Sequence, residues 1–299
     1  MRRVTEAAIL TAVARRLDGA LTARRPPHPI IVQGVAVGYV DGARRARLAR
    51  FTDVFADRDD GALALAPRLA DASARTAALE HVARTLAAEG ALTTWRDERF
   101  AVAARFADPP LLTIERAAAR YFGIAAWAAH ANGVVDDARG PTIWFARRSA
   151  GKSIDPGRLD NLVGGGIAAG ETPDATLHRE AWEEAGVPPA LARTARRVGA
   201  LHVERCGDDG FQRETMFTYD LALPADFEPA SQDGEAVEHR RVDRAEALRL
   251  IVQDRGDDVV TIDASLVVLD WLAREGFVPR GSAADGLLDR VRVAAPDER

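Results

Sequence analysis

The stretch from Gly164 to Val187, GGGIAAGETPDATLHREAWEEAGV, constrains this chain more than any other. Thr172 followed by Pro173 suits the cap and first residue of a helix, because a Thr hydroxyl accepts an otherwise unbonded N–H and Pro lacks one. Gly186 and Pro188 supply a stop. The pattern therefore predicts a helix over about Pro173–Ala185. Glu180, Glu183 and Glu184 fall at i, i+3 and i+4, which places three carboxylates on one helical face. Like charges this close repel. Arg179 can pair with Glu183 one turn on, but one guanidinium does not balance three carboxylates. A hard divalent cation can, and Mg²⁺ takes a few carboxylate oxygens together with phosphate oxygens. A solvated charged face is the competing reading of three Glu alone. The preceding Gly164-Gly165-Gly166 favours the metal, since glycine lets backbone approach a ligand closely. The opposite face, with Ala175, His178, Trp182 and Ala185, reads as the packing surface.

The rest of the chain supplies context. Its 299 residues allow one large or two modest domains. With 47% hydrophobic and 28% charged residues it has material for a core, and its net charge of −5 carries no basic block for a nucleic-acid polymer. Cys206 is the single cysteine, which excludes an intrachain disulfide and suits a reducing, cytoplasmic setting. No apolar run reaches the ~18 residues of a membrane span. The Arg-rich N-terminus resembles a transit peptide superficially. However, Glu6 and Asp18 interrupt it, and Ile9, Leu10, Val13 and Leu17 recur at helical spacing, so an amphipathic helix is expected.

Short strands are expected at Ile30–Val32 and Val35–Val40, with a helix within Pro67–Gly90. Trp95–Ala107 reads as a strand region and Ile114–Tyr121 as a helix with Glu115 and Arg116 exposed. Beyond Gly123, strands are expected at Ala125–Val135, Thr142–Arg147, Val198–Val203 and Thr215–Leu223. Helices are expected at Arg244–Gln253 and Ser265–Glu275, and the tail Ala294–Arg299 reads as frayed. Strands and helices mix without βαβ alternation, so the expected class is α+β. The boundary is expected near Leu111–Gly123, giving an N-terminal accessory domain over 1–115 and a catalytic domain over 116–299.

Gly165, then Glu171, then Arg179-Glu180-Ala181 with Glu183-Glu184 and Gly186-Val187 resembles the Nudix box. Ala181 is small where the family usually carries a larger aliphatic residue. The resemblance implies a Nudix α/β/α sandwich with a mixed sheet, and Mg²⁺ (or Mn²⁺) held by Glu180, Glu183 and Glu184. It also implies that Arg179 orients a carboxylate, that Gly165 shapes the loop and that Glu171 braces its join to the helix. The activity implied is metal-assisted hydrolysis of a diphosphate. For the general base the candidates are Glu184 and, in a segment resembling the late acidic loop of the family, Glu235.

Flanking segments are similar to a narrower branch, the Nudix domain fused to fungal thiamine pyrophosphokinases: Trp144–Lys152, Pro156–Gly166, Glu115–Ala119 and His130-Ala131-Asn132-Gly133. That branch implies hydrolysis of thiamine diphosphate and its oxy and oxo analogues to monophosphates. A nucleoside diphosphate derivative or dinucleotide is the alternative substrate. Arg147, Arg148 and Lys152 are candidates to hold diphosphate oxygens, or else a solvated strand end. Trp144 can stack on a ring or sit in the core, and His130 can line the site or be structural. With Gly165 and Gly166 these complete the candidate substrate contacts. Asp160-Asn161 reads as a turn. An isomerase on the same fold would need a cysteine upstream of the box, whereas Cys206 lies downstream; a non-catalytic sensor would carry an eroded box. The expected partner is a small diphosphate, with a homodimer as a further possibility.

Overall fold

The structure is a computed structural model that describes residues 6–21, 24–92 and 95–294. Met1–Thr5 of the Arg-rich terminus, and all of the tail beyond Ala294, lie outside the described residues.

Helix α1 (Glu6–Ala20) buries Leu10, Val13, Ala14 and Leu17. The chain then builds a first body. Strands β1 (His28–Val32) and β2 (Val35–Val40) form a hairpin that turns at Gln33-Gly34, and α2 (Gly42–Leu48) follows behind an Asp41 cap. Strands β3 (Phe55–Asp57) and β4 (Leu63–Leu65) complete a sheet of order β2-β1-β4-β3. Helix α3 (Ala72–Ala88) packs Leu79, Val82, Ala83 and Leu86 inward. The Trp95–Ala107 region contains only one short strand, β5 (Arg99–Val102), paired with β6 (Leu112–Glu115).

The expected helix over Ile114–Tyr121 is shorter than its sequence suggests. Ile114 and Glu115 end β6, and α4 covers Arg116–Ala119. Glu115 is not exposed. It is buried, and its carboxylate accepts from the N–H groups of Arg96 (2.9 Å) and Ala117 (3.2 Å), capping α4 rather than forming a surface ion pair.

The second body is built on a mixed sheet. Its strands are β7 (Ala125–Val135), β8 (Thr142–Arg148), β9 (Leu159–Asn161), β10 (Val163–Gly166), β11 (Arg196–Gly207), β12 (Gly210–Ala222), β13 (Ala236–Asp243) and β14 (Arg292–Val293). The order is β13-β8-β7-β12-β11-β14, with β12 parallel to β7. Strand β7 pairs with β8 at Gly133–Val135 and with β10 at Ala128–Ala131, so the sheet divides along β7. Asp160 and Asn161 belong to β9 instead of a turn; Asn161 is buried and bonds Asn132 and His130.

Alternation along the strands sends residues to two helical layers. On one side, Trp127, Ala129, Ala131, Phe217 and Tyr219 meet α5 (Pro173–Ala185) and α6 (Pro189–Ala192). On the other, Phe145, Leu201 and Met216 meet α7 (Arg244–Ile251), α8 (Ile262–Arg274) and α9 (Ala283–Val291). This is an α+β chain with an N-terminal domain ahead of an α/β/α sandwich.

One helix crosses the expected organisation. Although α1 lies within 1–115, its apolar face joins the core of α7, α8 and α9 in the second body. Arg16 fixes it there, donating to the carbonyls of Ile251 (2.8 Å) and Val260 (2.5 Å) and to the Ser265 hydroxyl (2.9 Å).

Candidate active site

Helix α5 forms as its sequence dictates. The Thr172 hydroxyl accepts from the Ala175 N–H, Pro173 opens the helix, and Gly186 closes it in the left-handed conformation at φ +64°. The packing face differs from expectation. Leu177, Ala181 and Ala185 are buried together with Thr176, Glu180 and Glu184, while Ala175 is exposed and Trp182 is 47% exposed. The carboxylate face is thus largely the packing face, because Glu180 and Glu184 point at the Gly164–Gly166 backbone rather than at solvent. A Cβ on Gly165 would stand 2.2 Å from the Glu180 carboxylate, so any larger residue there would displace that side chain. The Gly164 N–H donates to Glu184 at 2.9 Å.

Arg179 gathers the cluster. Its guanidinium reaches Glu183 (2.9 Å), Glu180 (2.9 Å) and Glu171 (3.2 Å). Glu171 also accepts from the Thr176 hydroxyl at 2.7 Å, which ties the loop to the first turn of α5. Burial opposes the Glu171 charge, yet the bonds from Arg179 and Thr176 hold its carboxyl below the usual range. For Glu184 the Lys152 ammonium and the Gly164 N–H favour the charge but do not prevail. Burial, then the neighbouring Glu180 charge, pushes Glu184 up to about 8. Burial pushes Glu180 up as well.

Lys152 closes the cluster from the loop after β8. Its ammonium contacts Glu235 directly and lies 3.7 Å from Glu184, and burial pulls its pKa below the ordinary lysine value. Glu235 is held at this place by its backbone, since its carbonyl accepts from the Ser149 N–H at 2.8 Å.

A cavity of about 520 Å³ opens beside this cluster, a size usual for small-molecule sites. Gly164, Gly165, Gly166, Lys152, Arg148, His130 and Glu235 line it; Glu180 and Glu184 stand just behind the glycines and Lys152. Gln212, Arg213, Glu214 and Asp263 line it as well. Ala126 and Ala128 of β7 also line it, and their short side chains leave room above the sheet.

Four sequence candidates therefore meet at the cavity: His130, Arg148, Lys152 and Glu235, with the glycines. Two do not. Arg147 bonds Glu238, Asp258 (2.6 Å) and the Gly157 carbonyl (3.1 Å), away from the cavity, because adjacent strand residues face opposite sides. Trp144 is buried in the α5-side core and stacks on no open space. Sequence reading missed Arg96, Phe100, Arg116, Arg120, Gln212, Arg213, Glu214 and Asp263. No local spacing marks them, and the strand expected over Thr215–Leu223 starts just after Gln212, Arg213 and Glu214, which the observed β12 includes.

A family model described as NUDIX domain matches residues 127–261, and one described as a domain of unknown function (DUF4743) matches residues 10–126. Nudix hydrolase 20, chloroplastic, of Arabidopsis thaliana is 34% identical over 273 residues, covering 88% of this chain and 72% of its own. This chain belongs to the Nudix hydrolase family. Nudix hydrolase 24, chloroplastic, of the same plant is 35% identical over 265 residues, with 88% and 71% covered. Among solved structures, the NUDIX domain of Shewanella oneidensis NrtR complexed with ADP ribose matches at 15% identity and a TM-score of 0.40, covering 52% of this chain and 91% of that one.

As a Nudix hydrolase the chain acts on diphosphate bonds, and enzymes of the family use divalent metal ions. Among the described residues no three acidic, His or Cys side chains are gathered as a metal cluster. The donor set nevertheless fits a hard cation. Two buried, mutually repelling carboxylates face a backbone that a Cβ would obstruct, and cationic Arg179 and Lys152 provide the compensation seen here. Among the described residues no helix is long and apolar enough to cross a membrane.

Proposed function

We propose that this Nudix hydrolase cleaves thiamine diphosphate and its oxy and oxo analogues to the monophosphate and phosphate, with Mg²⁺ as the working ion and Mn²⁺ as a substitute. The reading is supported above all by one cavity lined both by the box glycines and by the polar side chains of Gln212, Arg213, Glu214 and Asp263. From His130 to Ala126 it follows four residues of β7, about 13 Å at strand rise. That length accommodates a diphosphate followed by a two-ring group. The lining offers acceptors on Glu214 and Asp263 and donors on Arg120 and Arg213, so it can meet amino, oxo or cationic ring substituents. Gln212 joins the two acids, donating to Glu214 (2.6 Å) and Asp263 (3.1 Å).

In the reaction, water attacks the terminal phosphorus, the bridging P–O bond breaks and the monophosphate leaves. Glu180, Glu183 and Glu184 would hold the metal, which supplies Lewis-acid stabilisation when bound. The water's proton passes to a carboxylate, and Glu184 and Glu235 are the two candidates, both beside Lys152. Arg179 fixes the Glu180 and Glu183 rotamers. Gly165 and Gly166 admit the diphosphate close to the backbone, and His130, set by Asn161 at 3.1 Å, stands on the wall beside them.

The test is parallel turnover with Mg²⁺ of thiamine diphosphate, oxythiamine diphosphate, a nucleotide sugar and a dinucleotide, with products read by mass. The expected result is fastest release of phosphate from the oxythiamine compound. Rapid cleavage of the nucleotide sugar with the thiamine compounds untouched overturns the substrate assignment.

A further inference from the structure

The cations expected to meet the diphosphate are already engaged. Arg148 donates to Asp160 (2.7 Å) and twice to the Ile154 carbonyl (2.9 and 3.1 Å), and Arg147 faces elsewhere. Lys152 bridges Glu184 and Glu235. A diphosphate arriving at Gly164–Gly166 still needs a donor with hydrogens to give.

One stands opposite, on the segment matched by the domain of unknown function. Arg116 opens α4 and lines the cavity. Its guanidinium carbon would lie 3.7 Å from a Cβ on Gly166, so it sits directly over the glycine loop. Only Nη1 has a protein acceptor, Glu98 at 2.6 Å; Nε and Nη2 have none among the described residues. The group is also seated: it lies over the Phe100 ring at 5.6 Å, and Phe100 itself closes on Gly166. Its charge reaches the catalytic cluster, favouring the ionised form of Glu180 and opposing the Lys152 ammonium. A second guanidinium from the same body, Arg96, lies 4.0 Å from Glu235 and donates to the Ser153 hydroxyl at 3.1 Å.

We propose that Arg116 is a substrate-binding residue that grips the diphosphate from the side opposite the Nudix box, with Glu98 and Phe100 as positioning residues, so that the domain of unknown function supplies part of the active site. A planar fork with two open nitrogens matches two phosphate oxygens as an ammonium does not. The proposal rests on diphosphate cleavage and not on which ring the substrate carries.

The probe is therefore methylenediphosphonate, a non-hydrolysable diphosphate with no ring, titrated calorimetrically into the full chain with Mg²⁺. Arg116→Ala is expected to weaken its binding about 10- to 100-fold, the scale of a lost charged hydrogen bond. Arg116→Lys should recover part of the loss. The melting temperature should stay near wild type, which a merely structural role would not predict. Whatever diphosphate the enzyme turns over should show a matching rise in KM. Wild-type diphosphonate binding by Arg116→Ala overturns the proposal. If that variant fails to fold, undiminished binding by Arg116→Lys and by Glu98→Gln overturns it equally. Failure of thiamine compounds as substrates leaves this result untouched, so the two readings fail separately.

Discussion

The two walls of the cavity are built in opposite ways. The Nudix wall comes from one continuous segment, in which Gly165 on the cavity and Glu171, Arg179, Glu180 and Glu184 behind it are brought together by a short loop and about three turns of helix. The facing wall comes from scattered pieces: Leu92, Arg96, Phe100, Arg116 and Arg120 of the first body, and Gln212 and Asp263 of the second. The first kind of wall fixes chemistry, because its geometry follows from helical spacing alone. The second fixes what fits, because each of its residues depends on packing between distant elements. Catalysis and selection should accordingly respond to different substitutions.

The largest expected effect breaks the chemical wall. Replacing Glu183 and Glu184 together by Gln should reduce Mg²⁺-dependent phosphate release by about 10³-fold, within the range for losing a general acid–base group. Release at the wild-type rate would remove the α5 carboxylates from the mechanism.

Next in size, Leu17→Ala should destabilise the protein by about 2–5 kcal/mol, as deletion of a fully buried leucine does. Chemical denaturation read by the second body's tryptophans should shift as a result. Leu79→Ala, in the first body's core, provides the matching measurement, and the two shifts show whether the bodies unfold together.

Gly165→Ala forces the Glu180 carboxylate to move, and turnover is expected to fall at least about tenfold. On the selecting wall, Asp263→Asn should instead raise KM about tenfold for a ring-bearing substrate and leave methylenediphosphonate binding unchanged. Equal effects on both ligands would erase the distinction between the walls.

The smallest effect is a pH dependence. Glu184 has its folded pKa raised to about 8, so the metal-free fold is stabilised by it fully below the ordinary carboxylate pKa, and that contribution is lost as pH rises through 8. Metal binding must expel the same proton. Mn²⁺ affinity should therefore strengthen as pH rises toward 8 and level off above it, with proton release seen by calorimetry in buffers of different ionisation enthalpy.

Legibility in the sequence followed the same division. The limits of α5, its Thr172 cap and Gly186 stop, and the grouping of its glutamates are local, and spacing disclosed them. Its buried face was misread because Glu180 and Glu184 look like solvent residues until the glycine backbone opposite them is known. Of Arg147 and Arg148 only one can face a given side of a strand, but the parity depends on register, and register is a tertiary property. Glu115 looked exposed beside Arg116, yet it ends a strand and caps a helix. No spacing gives Arg116 a role, although Glu115–Ala119 carries a resemblance: its partner Glu98 and its neighbour Gly166 lie 18 and 50 positions away.

The placement of α1 has a mechanical consequence. The chain leaves the second body after α1 and re-joins it at β7, so the first body is attached to its neighbour at both ends. A domain on a single linker samples a volume and meets its partner at a concentration set by that linker. A doubly anchored one behaves like a bridge deck on two piers, with little of that freedom left to lose when substrate arrives. Cutting one pier, by separating α1 from α8, would turn a standing wall of the cavity into a swinging one.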